Sequence, residues 1–172
     1  MKKILAFSAS LLATGVVFAQ AATIAVGTPL TIFENQKSVT VQTAKGPVEI
    51  KRVMTPCGKN GGTIQPLVPV AGVHPIGETE IIQALSDRES LVVDMRDPTD
   101  RVKGTIPGSI SIPYTEVAAR MNELGCSKTG TSWNCSGAKK VFAFCNGPTC
   151  PQSPMAIKAM TREGFPADKI YY

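Results

Sequence analysis

Val141-Phe142-Ala143-Phe144-Cys145, then Asn146-Gly147-Pro148-Thr149-Cys150-Pro151-Gln152, then Ser153-Pro154 is the stretch of this chain that decides its fold. Four consecutive apolar residues with β-branched and aromatic members read as a short strand buried on both faces, as in the middle of a parallel sheet. The glycine and prolines that follow mark a loop. Ser153 before Pro154 is the preferred order for an N-cap and a first helical position. Ala156, Ile157 and Met160 give that helix one apolar face, and Gly164 ends it. Strand, loop and helix in this order put the Cys145 thiol where backbone N–H groups converge and the helix dipole is positive. A thiolate, the nucleophilic form of cysteine, is stabilised there, and so is a persulfide with its charge one atom further out. The plain alternative is a cysteine that is merely packed at a strand end.

Upstream, the pattern repeats. Leu91-Val92-Val93-Asp94-Met95 is a short apolar strand with an acid near its carboxyl end, and Ile110-Ser111-Ile112 is another, closed by Pro113. Ile81, Ile82 and Leu85 share one face of a predicted helix beginning near Glu78. Thr115 caps a second predicted helix running through Leu124, with Val117, Met121 and Leu124 on one side and Gly125 as its stop. Helices alternating with buried strands predict an α/β domain built on a mostly parallel sheet covered on both faces. Before it, Val39-Thr40-Val41-Gln42-Thr43 and Val48-Glu49-Ile50-Lys51-Arg52-Val53 alternate about Ala44-Lys45-Gly46-Pro47, which predicts a small N-terminal β-hairpin with the glycine in its turn. Thr55 to Pro75, rich in Gly and Pro, reads as a connector ending near Gly77.

The chain opens Met1-Lys2-Lys3, runs apolar from Ile4 to Phe18, and reaches Ala19-Gln20-Ala21. A basic start, a short apolar stretch and an A-x-A ending make a secretory leader over residues 1–21; a transmembrane anchor needs about 20 apolar residues. The organisation expected is a leader at 1–21, a β-rich extension and linker at 22–75, and the α/β domain at 76–172, in a protein exported to a periplasm or similar space. Losing the two leader lysines lowers the formal charge from +5 to +3. The basic residues are dispersed, so neither a nucleic-acid footprint nor a membrane-binding patch is visible. Five cysteines follow the leader, an odd number: Cys57, Cys126, Cys135, Cys145 and Cys150. In an oxidising compartment structural cysteines tend to pair, leaving one thiol free or joined elsewhere. Cys126 and Cys135 enclose the polar segment Ser127 to Asn134 and are expected to form a disulfide that staples a loop. His74, the sole histidine, cannot build a histidine-rich metal site, and the cysteine spacings fit no zinc finger or ribbon. No metal and no cofactor are implied.

Three segments together carry a resemblance. Asp94-Met95-Arg96-Asp97, Gly104-Thr105-Ile106-Pro107-Gly108-Ser109-Ile110-Ser111-Ile112-Pro113 and Val141-Phe142-Ala143-Phe144-Cys145 occur in the order of the signatures of the rhodanese-like domain, which this chain resembles from about Ile76 to its end. The resemblance implies a parallel five-stranded α/β domain and a sulfurtransferase in which Cys145 accepts sulfane sulfur from a donor such as thiosulfate and passes it to a thiophilic acceptor. It makes Asp94 the strand-end acid of the family, with Arg96 beside it, as supporting residues.

The chain also departs from the family. The family's compact six-residue loop, with a basic residue near its end, is replaced by a substrate-binding loop of Asn146, Gly147, Pro148, Thr149, Cys150, Pro151 and Gln152, which reads as longer and holds no basic residue. Gly104-Thr105 stands where the family has a glycine-histidine pair. The family continues beyond the Lys169-Ile170-Tyr171-Tyr172 strand into a further helix, so a truncated C-terminal end with one sheet face partly bare is a further expectation. Arg96 and Arg101 could face an anionic donor or pair with Asp97 and Asp100. Trp133 and the terminal tyrosines read as packing.

Cys150 divides the functional readings: it could close a disulfide with an oxidised or persulfidated Cys145, serve as a lid residue, or pair with Cys57. Sulfur transfer, with a small sulfur-containing anion and a thiophilic acceptor as partners, thus stands beside a thiol-disulfide redox protein and a non-catalytic binding module. Intact-mass measurement of exported material should give a mature chain beginning at Ala22, and retention of residues 1–21 would remove the leader.

Overall fold

The computed structural model describes residues 38–51 and 64–172. The expected leader with its cleavage after Ala21, the segment before Ser38, Arg52 and Val53, the first half of the connector, and Cys57 lie outside the described residues.

Strands β1 (Ser38–Thr43) and β2 (Gly46–Lys51) form the expected antiparallel hairpin, with Ser38 opposite Lys51 and Thr43 opposite Gly46. The turn is Ala44-Lys45 alone, and Gly46 opens the second strand instead of sitting in the turn. Thr43 explains the difference: its hydroxyl donates to the Gly46 carbonyl at 2.8 Å and accepts from the Lys45 N–H at 3.2 Å, so a side chain closes the reversal.

After the connector come α1 (Glu78–Ala84), β3 (Ser90–Asp94), α2 (Pro98–Arg101), β4 (Ile110–Ser111), β5 (Ser127–Thr129), β6 (Ser132–Asn134), β7 (Lys140–Phe144), α3 (Gln152–Arg162) and β8 (Ile170–Tyr171). Strands β4, β3, β7 and β8 lie in that order in one parallel sheet. A fifth position is filled by a single parallel bridge between His74 and Tyr171 at the β8 edge. From β3 the chain goes to β4 on one side and later returns as β7 on the other. The order therefore reverses at the β3–β7 seam, where open α/β sheets hold their ligands beyond the carboxyl ends of the strands.

Successive residues of the central strands point to opposite faces, and each face has its own cover. Val93, Val141 and Ala143 pack with Ala156, Ile157 and Met160 of α3 and with Val117, Met121 and Leu124. Val92 and Phe142 pack with Ile82 and Leu85 around α1 and with Val41 of β1. The hairpin is thus part of the second face's cover, so that face is not left bare. Full burial of each such side chain contributes roughly 1.5–3 kcal/mol.

Two local expectations are corrected. Residues 115–124 do not form one α-helix: an irregular turn is followed by a 3-10 turn at Met121–Leu124. The Ala118 carbonyl, which would accept from residue 122 in a continuous helix, instead accepts from the Trp133 indole at 3.1 Å. Trp133 packs against the core as expected and also diverts this backbone. Gly125 does stop the segment, in a left-handed conformation and so close to the Gly137 carbonyl that a Cβ would stand 2.9 Å from it. Ser153 is not the cap of α3. Pro151 holds that position, and Ser153 lies inside the first turn, fully buried. Gly164 ends the helix as expected, with the Phe165 N–H returning to the Met160 carbonyl.

Cys126 and Cys135 are joined by a disulfide that closes the β5–β6 ribbon at its base. If the hairpin belongs to the same cooperative unit as the sheet, Val41→Ala, at a side chain 1% exposed, should lower the stability of the whole domain by about 2 kcal/mol. Denaturant unfolding followed by a sheet-core probe measures this, and an unchanged midpoint would separate hairpin from domain.

Candidate active site

Parallel pairing of β3 with β7, Asp94 opposite Phe144, brings Asp94 and Cys145 to the same edge of the sheet. Asp94 is completely buried, an expensive place for a charge, and its surroundings show why it is tolerated. Arg96 grips it with two bonds of 2.8 Å, from Nε to Oδ1 and from an Nη to Oδ2, while the Arg96 N–H and the Thr105 hydroxyl add bonds of 3.1 and 2.7 Å. Arg101 approaches at 3.4 Å. Burial alone would raise the Asp94 pKa, but the bonds from Arg96 and Thr105 outweigh it and hold the carboxyl below the ordinary range. Thr105, at the place of the family's histidine, is one of the donors that make this possible.

The arginines are consequently occupied. Arg96 also donates to the Gly104 carbonyl at 2.7 Å and to Asn146 Oδ1 at 2.9 Å. Arg101 donates to Thr105, to the Ser109 hydroxyl and to the Ser109 carbonyl. Their chief partner is Asp94, not the Asp97 and Asp100 considered from sequence. Those two acids serve the loop instead: Asp97 accepts from Gln152 Nε2 at 2.8 Å, and Asp100 accepts from Asn146 Nδ2 at 2.9 Å. Asn146 is therefore clamped between Arg96 and Asp100, next to the candidate nucleophile.

The loop spans six residues, 146–151, between Cys145 and the start of α3 at Gln152, one fewer than the sequence implies. Gly147, at a φ of 102° that suits glycine, turns the chain so that the Cys150 N–H reaches its carbonyl at 3.0 Å. This folds Cys150 back over Cys145. The Cys145 thiol donates to the Cys150 carbonyl at 3.3 Å, and the Cys150 thiol points to Gln152 Oε1 at 3.7 Å. Both thiols are free and half-buried. Pro148 is tied from outside by the Gln65 N–H, 2.7 Å from its carbonyl.

The sulfur thus meets a carbonyl from the loop, and its favourable donors come from α3. Burial pushes the Cys145 pKa up, the Cys150 thiol adds to the rise, and the Ser153 hydroxyl and N–H partly oppose it. Ser153 Oγ is buried with no hydrogen-bond partner within bonding geometry, yet near enough to Cys145 to favour its charged form. A charged sulfur would give it one, so this hydroxyl is poised for the thiolate or persulfide. Tyr172 does more than pack: burial, and then the two cysteines, push its pKa up to about 12. The signal available in sequence was register: with β8 parallel to β7 and Tyr171 opposite Phe142, Tyr172 belongs at the same sheet edge as Cys145.

The remaining named residues, Thr149 and Pro151, complete the loop without a side-chain hydrogen bond of their own to the sulfur. A half-open pocket of about 130 Å³, lined by Thr43, Leu85, Val92, Gly108 and Ile110 among others, lies by the hairpin turn and does not include Cys145.

The family model described as the Rhodanese-like domain matches residues 78–172. The HTH-type transcriptional regulator Rv0324 of Mycobacterium tuberculosis is 30% identical over 83 residues, covering 48% of this chain and 32% of that protein. The chain spans about a third of the length of that relative. No solved structure matches.

A raised thiol pKa means a small thiolate fraction at neutral pH. Alkylation of Cys145, followed by peptide mass spectrometry, should accelerate with pH and still be climbing at the ordinary thiol value of about 8.5. A plateau at or below neutral pH would contradict the assignment.

Proposed function

The chain belongs to the Rhodanese-like domain family, and on that premise we propose that it is an exported, periplasmic sulfurtransferase that carries sulfane sulfur as a persulfide on Cys145. Family membership supports a sulfurtransferase-type or rhodanese-fold function; catalysis of sulfur transfer, the donor, such as thiosulfate, the thiophilic acceptor and the compartment are the proposal. The observation that carries it is the placement of one free thiol directly after the central strand β7, at the seam where the strand order reverses, with a buried unpaired hydroxyl at Ser153 waiting for negative sulfur.

The chemistry balances in two steps. The Cys145 thiolate attacks the outer sulfur of the donor, forming a Cys145 Sγ–S bond as the donor's S–S bond breaks, and for thiosulfate sulfite departs. A thiophilic acceptor then attacks the outer sulfur and restores the thiolate. The Ser153 hydroxyl and N–H favour the thiolate when it forms, against the burial that keeps the resting group a thiol. The clamp on Asn146 holds the near end of the loop while charge moves outward. Asp94 and Arg96 act chiefly through that clamp.

Cys145→Ser keeps the size of the side chain but replaces a thiol with a hydroxyl that scarcely ionises near neutral pH. Loading by a sulfane-sulfur donor, read as one added sulfur by intact mass, should fall to the uncatalysed background in Cys145→Ser and persist in Cys150→Ser. Undiminished loading of Cys145→Ser would overturn the mechanism.

A further inference from the structure

We infer that the reductant that discharges the sulfane sulfur is inside the chain: Cys150 attacks the Cys145 persulfide at Cys145 Sγ and expels the outer sulfur as hydrosulfide, leaving a Cys145–Cys150 disulfide for an external dithiol to reduce. This deepens the sulfurtransferase reading and rests on it. The geometry that carries it is the folded-back loop. The Gly147 turn brings residue 150 over residue 145 so closely that the Cys145 sulfur touches the Cys150 carbonyl at 3.3 Å, and the Cys150 side chain acts on the Cys145 thiol. Clamps hold the loop on both limbs, Asn146 by Arg96 and Asp100, and Gln152 by Asp97. Gln152 Oε1 in turn receives the Cys150 thiol. A second thiol on an otherwise unreactive limb is thus oriented and kept within reach of the first.

Loading places the extra sulfur beyond Cys145 Sγ, and Sγ itself becomes the electrophile. Cys150 Sγ forms a bond to Cys145 Sγ while the bond from Cys145 Sγ to the outer sulfur breaks. The outer sulfur takes that electron pair together with the proton of Cys150, so a persulfide anion and a thiol become a disulfide and a hydrosulfide anion. The two cysteines are oxidised by two electrons in total, and the sulfane sulfur is reduced by two. Reset needs two electrons from an external dithiol, a thioredoxin-like protein by chemical class, which attacks the disulfide and leaves both thiols free.

The full-length protein, fully reduced, is loaded with a limiting amount of inorganic polysulfide, freed of small molecules, and followed by intact mass and by sulfide release. The parent should lose the added sulfur, gain the mass signature of one internal disulfide and release one equivalent of sulfide. Cys150→Ser and Cys150→Ala should keep the persulfide. A neighbouring thiol acts at millimolar effective concentration or more, so with micromolar external thiol the parent's persulfide should decay at least about tenfold faster than the variants'. Equal persistence in parent and variants would overturn the internal reductant while leaving the persulfide carrier intact. Failure of the Cys150 variants to gain any sulfur would overturn the carrier reading and the inference with it.

Discussion

The contact on which the rest of this structure depends is the paired ion bridge between Asp94 and Arg96. A carboxylate at the end of a buried strand is tolerable only if its oxygens are fully engaged, and here three side chains and a backbone N–H engage them. The guanidinium that neutralises Asp94 has donors left over, and it uses them to fix the Gly104 carbonyl and Asn146. One buried pair thereby joins β3, the segment leading to β4, and the loop that follows β7. Such a pair adds little net stability over an apolar replacement, but removing one member strands a charge in the core, typically at a cost of about 3–5 kcal/mol. Its contribution here is register between the sheet edge and the reactive loop.

That same bridge sets the electrostatic character of the site. Arg96 and Arg101 spend their hydrogen bonds on Asp94 and its neighbours, so Cys145 feels Arg96 only through space, and the loop turns a carbonyl toward the sulfur. The thiol rests neutral and its charged forms are served mainly by Ser153 at the start of α3. A helix start is a natural seat for developing negative charge, and the loop is shaped to deliver a second thiol to it. The reactivity of Cys145 therefore depends on what its sulfur becomes during turnover more than on what it is at rest.

Much of this was legible in sequence because it follows from periodicity. The buried strands, the parallel α/β arrangement, the edge position of Cys145 and the stop signals at Gly125 and Gly164 were all read from residue pattern, and the Cys126–Cys135 bridge from spacing. What escaped were contacts made by residues distant in sequence. Nothing local to residues 115–124 shows that Trp133 will take the Ala118 carbonyl out of a helical ladder. Nothing near Arg96 shows that it will choose Asp94 over Asp97, or that Asn146 will complete its coordination. Tyr172 was missed because its role depends on which strand lies beside β8. Ser-Pro is a strong helix-start signal, yet Pro151 and Gln152 begin the helix two residues before the Ser153 cap that the sequence suggests.

The hairpin's place over the second face has a consequence for the order of events in folding. A two-stranded ribbon by itself is at best marginal in water. Its chief partners, Val92 and Phe142, lie about 50 to 100 residues further along the chain, so contact between them is slow to form and cannot reward early structure. The first described segment to be synthesised is therefore among the last to become fixed, and the matched stretch at 78–172 is smaller than the unit that must assemble before the sheet is covered on both sides.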